Sequence, residues 1–427
     1  MAEFGPVGGG VEAVNGPAPL IVKTQSAHGL VDGDRVSIGM PDEAIPMCFA
    51  KCTGLPANAF AAYATLDFAS PAAFPSPTAG TPIVKLAAED WAVVAGINWY
   101  PHFAPLQGPV RDATRFAQWL RSQAYVPDDQ IKLVLSPDRH IGDAEPTLDV
   151  VKRHFEDLVR EASQKDYHRL GRRLYIFLSG HGITPTRSGA PNYYETALLM
   201  ANADSIFLGD HLAGFAYAEW FRALGVFDEV VLFVDCCRDQ QNAVALTPPS
   251  MPPWNPQRPS AHHFYAAATQ LASYSWEKPL GQPPEVSGVF SFVLMQALNS
   301  QSLCGPDGVL TGKILKAQLN RDVPALQNQQ QPDIDFNEDE DIAFVKRLNP
   351  QIPEASITFS APDLRGKTAQ LLGKKYPNPD AIHIIDQGAW VVPLEPFNYS
   401  LKVPGTPYPT KFFEFDGNQK VLDVQFP

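Results

Sequence analysis

Val230-Val-Leu-Phe-Val-Asp-Cys-Cys-Arg238 constrains this chain more than any other stretch. Five apolar residues, rich in β-branched types, end abruptly in an acid, two thiols and a guanidinium. A run of this kind without alternation fits a strand buried on both faces, as in a parallel sheet covered by helices. Open α/β sheets bind ligands outside the carboxyl ends of their strands, so the reactive groups stand where such folds do chemistry. A second run, Leu174-Tyr-Ile-Phe-Leu-Ser179, ends in Gly180-His-Gly182. A thiol and an imidazole at two strand ends of one sheet can face each other, the arrangement a thiolate nucleophile and its base require.

Strands and helices alternate around these two runs. Residues 91–97 predict a strand, and Val110, Ala113, Phe116, Ala117 and Leu120 have helical spacing after Pro109, at a helix start where proline is tolerated. Residues 131–135 predict a short strand, 147–162 an amphipathic helix, 195–200 part of a hairpin and 209–224 a helix leading into the Cys strand. Such alternation predicts a parallel α/β sheet. Residues 239–261 carry six prolines and no apolar periodicity, which predicts a long exposed loop. Beyond it come a strand at 263–268, helices at 288–299 and 310–319, and a last strand at 342–345. The acidic run 333–341 lacks the Gly and terminal Glu of a calcium loop and reads as a solvated turn.

The flanks have a different character. Residues 1–86 read as a small β-rich module, with strands at 20–26 and 35–38 joined by His28-Gly-Leu-Val-Asp-Gly-Asp34. That connector resembles a turn in small β-barrel modules of phage structural proteins, and His28 is expected to stabilise it. The opening Gly5-Pro-Val-Gly-Gly-Gly10 predicts flexibility, and the Pro/Ala/Ser-rich residues 70–82 a linker. Cys48 and Cys52 have no second Cys or His pair with them, so zinc is not expected. From 355 onward β-prone segments alternate with turns, among them the hairpin signal Asp416-Gly417, and predict a β-sandwich of five to seven strands.

Charge and composition exclude several classes. A formal charge of -13 argues against a general nucleic-acid binder and favours basic partners or substrates. Five cysteines, two of them adjacent, do not suggest a disulfide framework and fit a reducing, cytoplasmic setting. No window approaches the apolar length of a membrane span, and the N-terminus lacks the basic start and apolar core of a signal peptide. A soluble protein without membrane or nucleic-acid partners is expected.

Ser179-Gly-His-Gly182 and Asp235-Cys-Cys-Arg238, with the His strand about fifty residues upstream, resemble the caspase and metacaspase clan of cysteine peptidases. Three further segments agree in order. Leu106-Gln-Gly-Pro-Val-Arg-Asp-Ala113 resembles the family's substrate-pocket segment, Tyr274-Ser-Trp-Glu277 the segment that in caspases ends in Arg, and Gly288-Val-Phe-Ser-Phe292 the start of the small-subunit helix. Together they span roughly 91–345. The implied fold is α/β: a caspase-like, mostly parallel sheet flanked by helices, with an N-terminal small β module and a C-terminal β-sandwich. The expected domains are 1–86, the peptidase domain 87–350 and 351–427. The peptidase domain divides into a large-subunit-like part 87–238, the loop 239–261 and a small-subunit-like part 262–350.

The resemblance also assigns roles. Cys237 matches the nucleophile, and Cys236 would point back into the fold because adjacent side chains at a strand end face opposite ways. His181 matches the base, and the amides of Gly182 and Cys237 the oxyanion hole. The positions that form a basic pocket in caspases correspond here to Leu106, Glu277 and Asp235, and Asp112 matches a metacaspase pocket acid. Tyr274 and Trp276 fall in the substrate groove. An Asp substrate would meet repulsion with no balancing cation, whereas Arg or Lys would find two or three carboxylates. The expected activity is therefore endoproteolysis after Arg or Lys in protein or peptide substrates, with an activating or inhibitory protein partner. Prokaryotic relatives often act in defence or cell-death pathways, and the resemblance implies a place in such a regulated proteolytic cascade. No cofactor or metal is required, and calcium dependence stays open. A caspase-fold scaffold that recruits partners through its β modules is the alternative function, and a legumain-like or separase-like peptidase the alternative enzyme. Self-processing is not expected within 239–261, whose one basic residue, Arg258, precedes Pro259. Arg187, in Thr184-Pro-Thr-Arg-Ser-Gly-Ala190, is the candidate processing site.

Overall fold

The two unalternating apolar runs become neighbouring parallel strands, Gly171–Ser179 and Phe227–Asp235, in the main sheet of the computed structural model. The structure describes residues 5–6, 9–15, 20–32, 34–38, 48–64, 68–69, 83–136, 144–164, 169–186, 195–204, 210–246, 249, 260–281, 284–300, 302–305, 308–339, 341–346, 354–373, 379–386, 388–394, 397–415 and 421–426. The chain forms two units, Met1–Ala267 and Ala268–Pro427.

In the first unit the sheet runs His262–Ala267, Phe227–Asp235, Gly171–Ser179, Asp90–Gly96, Ile131–Leu135, with every neighbouring pair parallel. Burial on both faces explains the lack of alternation. On one face Phe177 stacks on Phe116 of the helix Pro109–Ser122 at 4.7 Å, and Tyr175 and Phe233 lie edge-on to Phe116. On the other, Leu174, Ile176 and Leu178 share a core with Phe155 of the helix Leu148–Gln164 and Tyr217 of the helix Gly214–Leu224. At the amino end of the sheet charge is buried in pairs. Arg173 donates to Glu229 at 2.6 Å and to Tyr175 at 2.7 Å, and Arg172 holds the buried Asp90. Breaking one partner of a buried pair costs about 3–5 kcal/mol, so this cluster penalises any slip of the three strands past one another.

Several boundaries differ from the sequence reading. Residues 239–261 are not a loop throughout, because Asp239–Ala245 is a strand that pairs in parallel with Gly182–Thr186. Its prolines all lie beyond residue 247, so averaging over the whole stretch hid a proline-free start. The helix expected from 209 begins at Gly214, after the strand His211–Ala213, because the buried Glu195 accepts from the amides of Phe215 and Ala216 and fixes the helix start there. The helix expected at 310–319 is Gly312–Leu326, preceded by the strand Val309–Thr311 and capped by the Thr311 side chain. The acidic run is not all turn: Asp333–Phe336, with alternating acids and apolar residues, is a strand. Asp341 accepts from the Lys313 amide at the start of the second unit's longer helix. Gly5–Pro6, expected to be flexible, is a short strand. The expected linker at 70–82 and the Asp416-Gly417 turn lie outside the described residues.

The second unit holds the hairpin Glu277–Leu280 and Glu285–Gly288, the helices Val289–Asn299 and Gly312–Leu326, and a sandwich. One sandwich sheet is ordered Trp390–Pro393, Glu354–Phe359, Val421–Phe426; the other Ala381–Ile384, Thr368–Leu372, Phe397–Lys402, Lys411–Phe415. Ala355, Ile357, Leu371, Leu401 and Phe426 fill the space between them. Among the described residues no helix is long and apolar enough to cross a membrane.

The N-terminal module is a seven-stranded sheet. His28 is buried in its turn, with Nε2 3.0 Å from the Ala59 carbonyl and Nδ1 accepting from the Leu30 amide at 2.9 Å. Ile83–Lys85 pairs with both Gly5–Pro6 and Arg35–Ile38, although it follows residues 70–82 in sequence. Arg35 also donates to Asp129 at 2.9 Å and Gln130 at 3.0 Å, just before the outer strand Ile131–Leu135 of the main sheet. A chain cut within 70–82 would thus leave one strand of the module on the side of the main sheet. With a protease site inserted there, the two fragments are expected to stay together through size exclusion without denaturant. Release of the N-terminal fragment would contradict this topology.

Candidate active site

Register places the site. Gly96, Ser179 and Asp235 lie side by side at the carboxyl edge of three adjacent strands. Each strand then gives way to a segment carrying candidate residues. The edge stays hydrogen bonded just past the strands, with the Ile97 amide donating to the Ser179 carbonyl and the Gly180 amide to the Asp235 carbonyl.

After Asp235 the two thiols part company. Cys236 is 1% exposed, whereas Cys237 is partly exposed. Burial, with the neighbouring Cys237 and Asp235, pushes the Cys236 thiol well above its ordinary range. Cys236 packs so closely on Gly182 that a Cβ there would lie 2.2 Å from its Sγ and 2.6 Å from the Cys237 carbonyl oxygen. Only glycine fits beneath the thiol. On the other side Arg238 is buried, with its guanidinium 5.8 Å from the centre of the Phe215 ring and its carbonyl accepting from Thr184 Oγ1 at 3.2 Å. Cys237 is thus the accessible residue between two anchored neighbours.

His181 is gripped by the segment that follows the strand Asp90–Gly96. Its Nε2 lies 2.8 Å from the Ala104 carbonyl oxygen, its backbone amide donates to the Tyr100 hydroxyl at 2.9 Å, and its ring is 4.7 Å from that of Tyr100 and 5.8 Å from that of Phe103. A carbonyl can only accept, so Nε2 carries a proton, and the neutral form of the ring has its lone pair on Nδ1.

Asp112 is 1% exposed, in the first turn of the helix Pro109–Ser122. That helix starts against the strand end: a Cβ on Gly96 would meet the Pro109 carbonyl oxygen at 2.5 Å, and Asn98 Oδ1 accepts from the Val110 amide at 2.9 Å. Asp235, 5% exposed, closes its own strand. The first unit therefore gathers His181, Gly182, Cys237, Asp112 and Asp235 at one sheet edge. Leu106 is tied to the segment that follows Gly96, its amide donating to the Asn98 carbonyl.

The second unit holds the remaining candidates on one segment. Tyr274 and Trp276 are 57% and 41% exposed, and Glu277, partly buried, begins a strand facing Gly288. The buried Gln330 secures this segment by accepting from the Trp276 amide at 3.1 Å and donating to the Ala268 carbonyl at 3.1 Å. Arg187 lies outside the described residues. Sequence reasoning missed Tyr100, Phe103, Ala104 and Glu195. The acid Glu195 carried a weak signal, standing just before a short apolar stretch. Ala104 acts through its backbone and carried none. Among the described residues no group of three His, Cys, Asp or Glu side chains is placed to hold a metal ion.

The sequence matches the model of the Peptidase C14 family, the caspase domain, over residues 89–341, more than half of the chain. The chain belongs to this family of cysteine peptidases. No curated protein matches it significantly. Similar solved structures include the protein GSU0716 from Geobacter sulfurreducens, at 12% identity and TM-score 0.38 over 61% of this chain and 97% of that one. Caspase-1 from Spodoptera frugiperda is likewise 12% identical, with TM-score 0.38 over 62% of this chain and 92% of that one.

The unequal thiols give a direct test. Brief treatment of the native chain with iodoacetamide at neutral pH, followed by peptide mapping, is expected to modify Cys237 well before Cys236. Earlier modification of Cys236 would contradict the burial described here.

Proposed function

We propose that the chain is an endopeptidase that cleaves after arginine and lysine, with Cys237 as nucleophile and His181 as its base. The observation that carries the reading is a pair of buried carboxylates, Asp112 and Asp235, at the sheet edge that also bears His181 and Cys237.

The chemistry follows from the groups available. With its proton on Nε2, His181 takes the Cys237 proton on Nδ1. The thiolate forms a bond to the scissile carbonyl carbon, and the carbonyl electron pair moves to oxygen. There the amides of Gly182 and Cys237 donate, each worth about 3 kcal/mol in the transition state. The imidazolium protonates the leaving amine as the C–N bond breaks. Water, deprotonated by His181, then releases the acyl group from sulfur. Cys236 takes no part, since its thiol is buried and held protonated.

Specificity follows from charge. Gly96 and Asp235 are two strands apart, about 10 Å at ~4.8 Å per strand, and Asp112 stands one turn into the helix that begins over Gly96. A guanidinium entering this edge meets carboxylates that can accept its paired N–H groups, and an Asp side chain meets repulsion. Glu277, Tyr274 and Trp276 are assigned to substrate binding by the family resemblance of their segment.

Cys237→Ala and His181→Ala should each abolish peptide cleavage with the fold intact, while Cys236→Ala retains most activity. Asp112→Ala and, separately, Asp235→Ala should lower cleavage after Arg and Lys about a hundredfold, the effect of losing about 3 kcal/mol from a buried charge partner. A substrate library reads all of these. Efficient turnover of peptides cut after Asp would contradict the charge argument.

A further inference from the structure

The segment after the strand Asp90–Gly96 does more for His181 than accept one hydrogen bond. Tyr100 is wholly buried, and its hydroxyl joins two backbones by accepting from the His181 amide at 2.9 Å and donating to the Leu199 carbonyl at 3.2 Å. Leu199 is itself tied to His181, its amide donating to the His181 carbonyl at 2.9 Å. The phenol ring also lies 4.7 Å from the imidazole. Burial raises the phenol above its ordinary range, so it stays protonated and remains a donor at working pH. Gly180, just before His181, leaves room for this hydroxyl, since a Cβ there would lie 2.4 Å from it. Backbone position, ring face and Nε2 of His181 are thus all set from Tyr100–Ala104, about eighty residues upstream.

We propose that Tyr100 is a positioning residue of the peptidase, whose hydroxyl and ring fix the orientation of the His181 imidazole. This rests on the reading of His181 as the base. Tyr100 touches neither substrate nor reacting atoms and acts only through His181. Without the hydroxyl, the His181 amide and the Leu199 carbonyl lose a buried partner, and the ring can leave the geometry that stabilises the Cys237 thiolate.

Tyr100→Phe in the full chain tests this, because it removes one oxygen and keeps the ring. Two readouts separate positioning from general destabilisation. For a peptide cut after Arg, kcat should fall about tenfold, the effect of losing the hydroxyl's hydrogen bond to the His181 amide, with KM nearly unchanged. The pH profile of Cys237 alkylation by iodoacetamide should move to higher pH, toward that of an ordinary thiol, as the imidazolium loses its hold on the thiolate. An unchanged midpoint and kcat would overturn the proposal. So would a fall in the reactive fraction at the same midpoint, the mark of a merely structural role. His181→Ala serves as the reference: if it leaves the alkylation profile of the parent unchanged, the base assignment itself fails, independently of Tyr100. Should Tyr100→Phe not fold, imidazole nitrogen NMR of the unmodified chain carries the test. A single His181 ring orientation with a proton held on Nε2 is expected, and a rotationally averaged ring or one with Nε2 unprotonated would overturn the proposal.

Discussion

The register that sets Gly96, Ser179 and Asp235 side by side decides where every candidate group of the first unit can stand. Parallel strands bring their carboxyl ends to one edge, and each of these three hands over to a different piece of the site. One leads to the Tyr100–Ala104 grip and the helix bearing Asp112, one to His181 and Gly182, and one to Cys237. A one-residue slip would turn each following side chain to the other face. The buried Arg173–Glu229 and Arg172–Asp90 pairs at the opposite end of the sheet resist that slip. The fold therefore places stabilising charge at the amino end and reactive groups at the carboxyl end of the same strands.

Close packing completes the arrangement. Gly182 has no room for a side chain because Cys236 occupies the space, and Gly180 has none because of the Tyr100 hydroxyl. The His-bearing turn is thus held from the thiol side and from the aromatic side together. The same packing separates two chemically identical neighbours, one buried and held protonated, the other partly exposed.

Much of this was legible in the sequence because the informative features are local. Continuous apolar runs marked the two central strands, and Gly-His-Gly and Asp-Cys-Cys-Arg followed them directly. What escaped depends on distant partners. Ala104 contributes a carbonyl 77 residues from His181, and the Tyr100 hydroxyl meets a backbone amide 81 residues away. Neither leaves a mark in composition or spacing. Glu195 moves the start of a helix twenty residues on by capping it, which apolar periodicity alone cannot reveal. The strand Asp239–Ala245 escaped because the prolines that follow dominated the reading of the whole stretch. The N-terminal sheet closes with a strand from beyond its own expected linker, a pairing set by topology and not by local sequence.

The most direct test of a Cys237 peptidase with basic specificity is covalent capture by the unmodified chain. A thiol-reactive peptide ending in Arg and a matched one ending in Asp would be offered separately, and the adducts mapped by mass spectrometry. The account predicts that the Arg peptide is bound at Cys237 alone and that the Asp peptide leaves the chain unmodified. Capture at Cys236, or equal capture of both peptides, would contradict it.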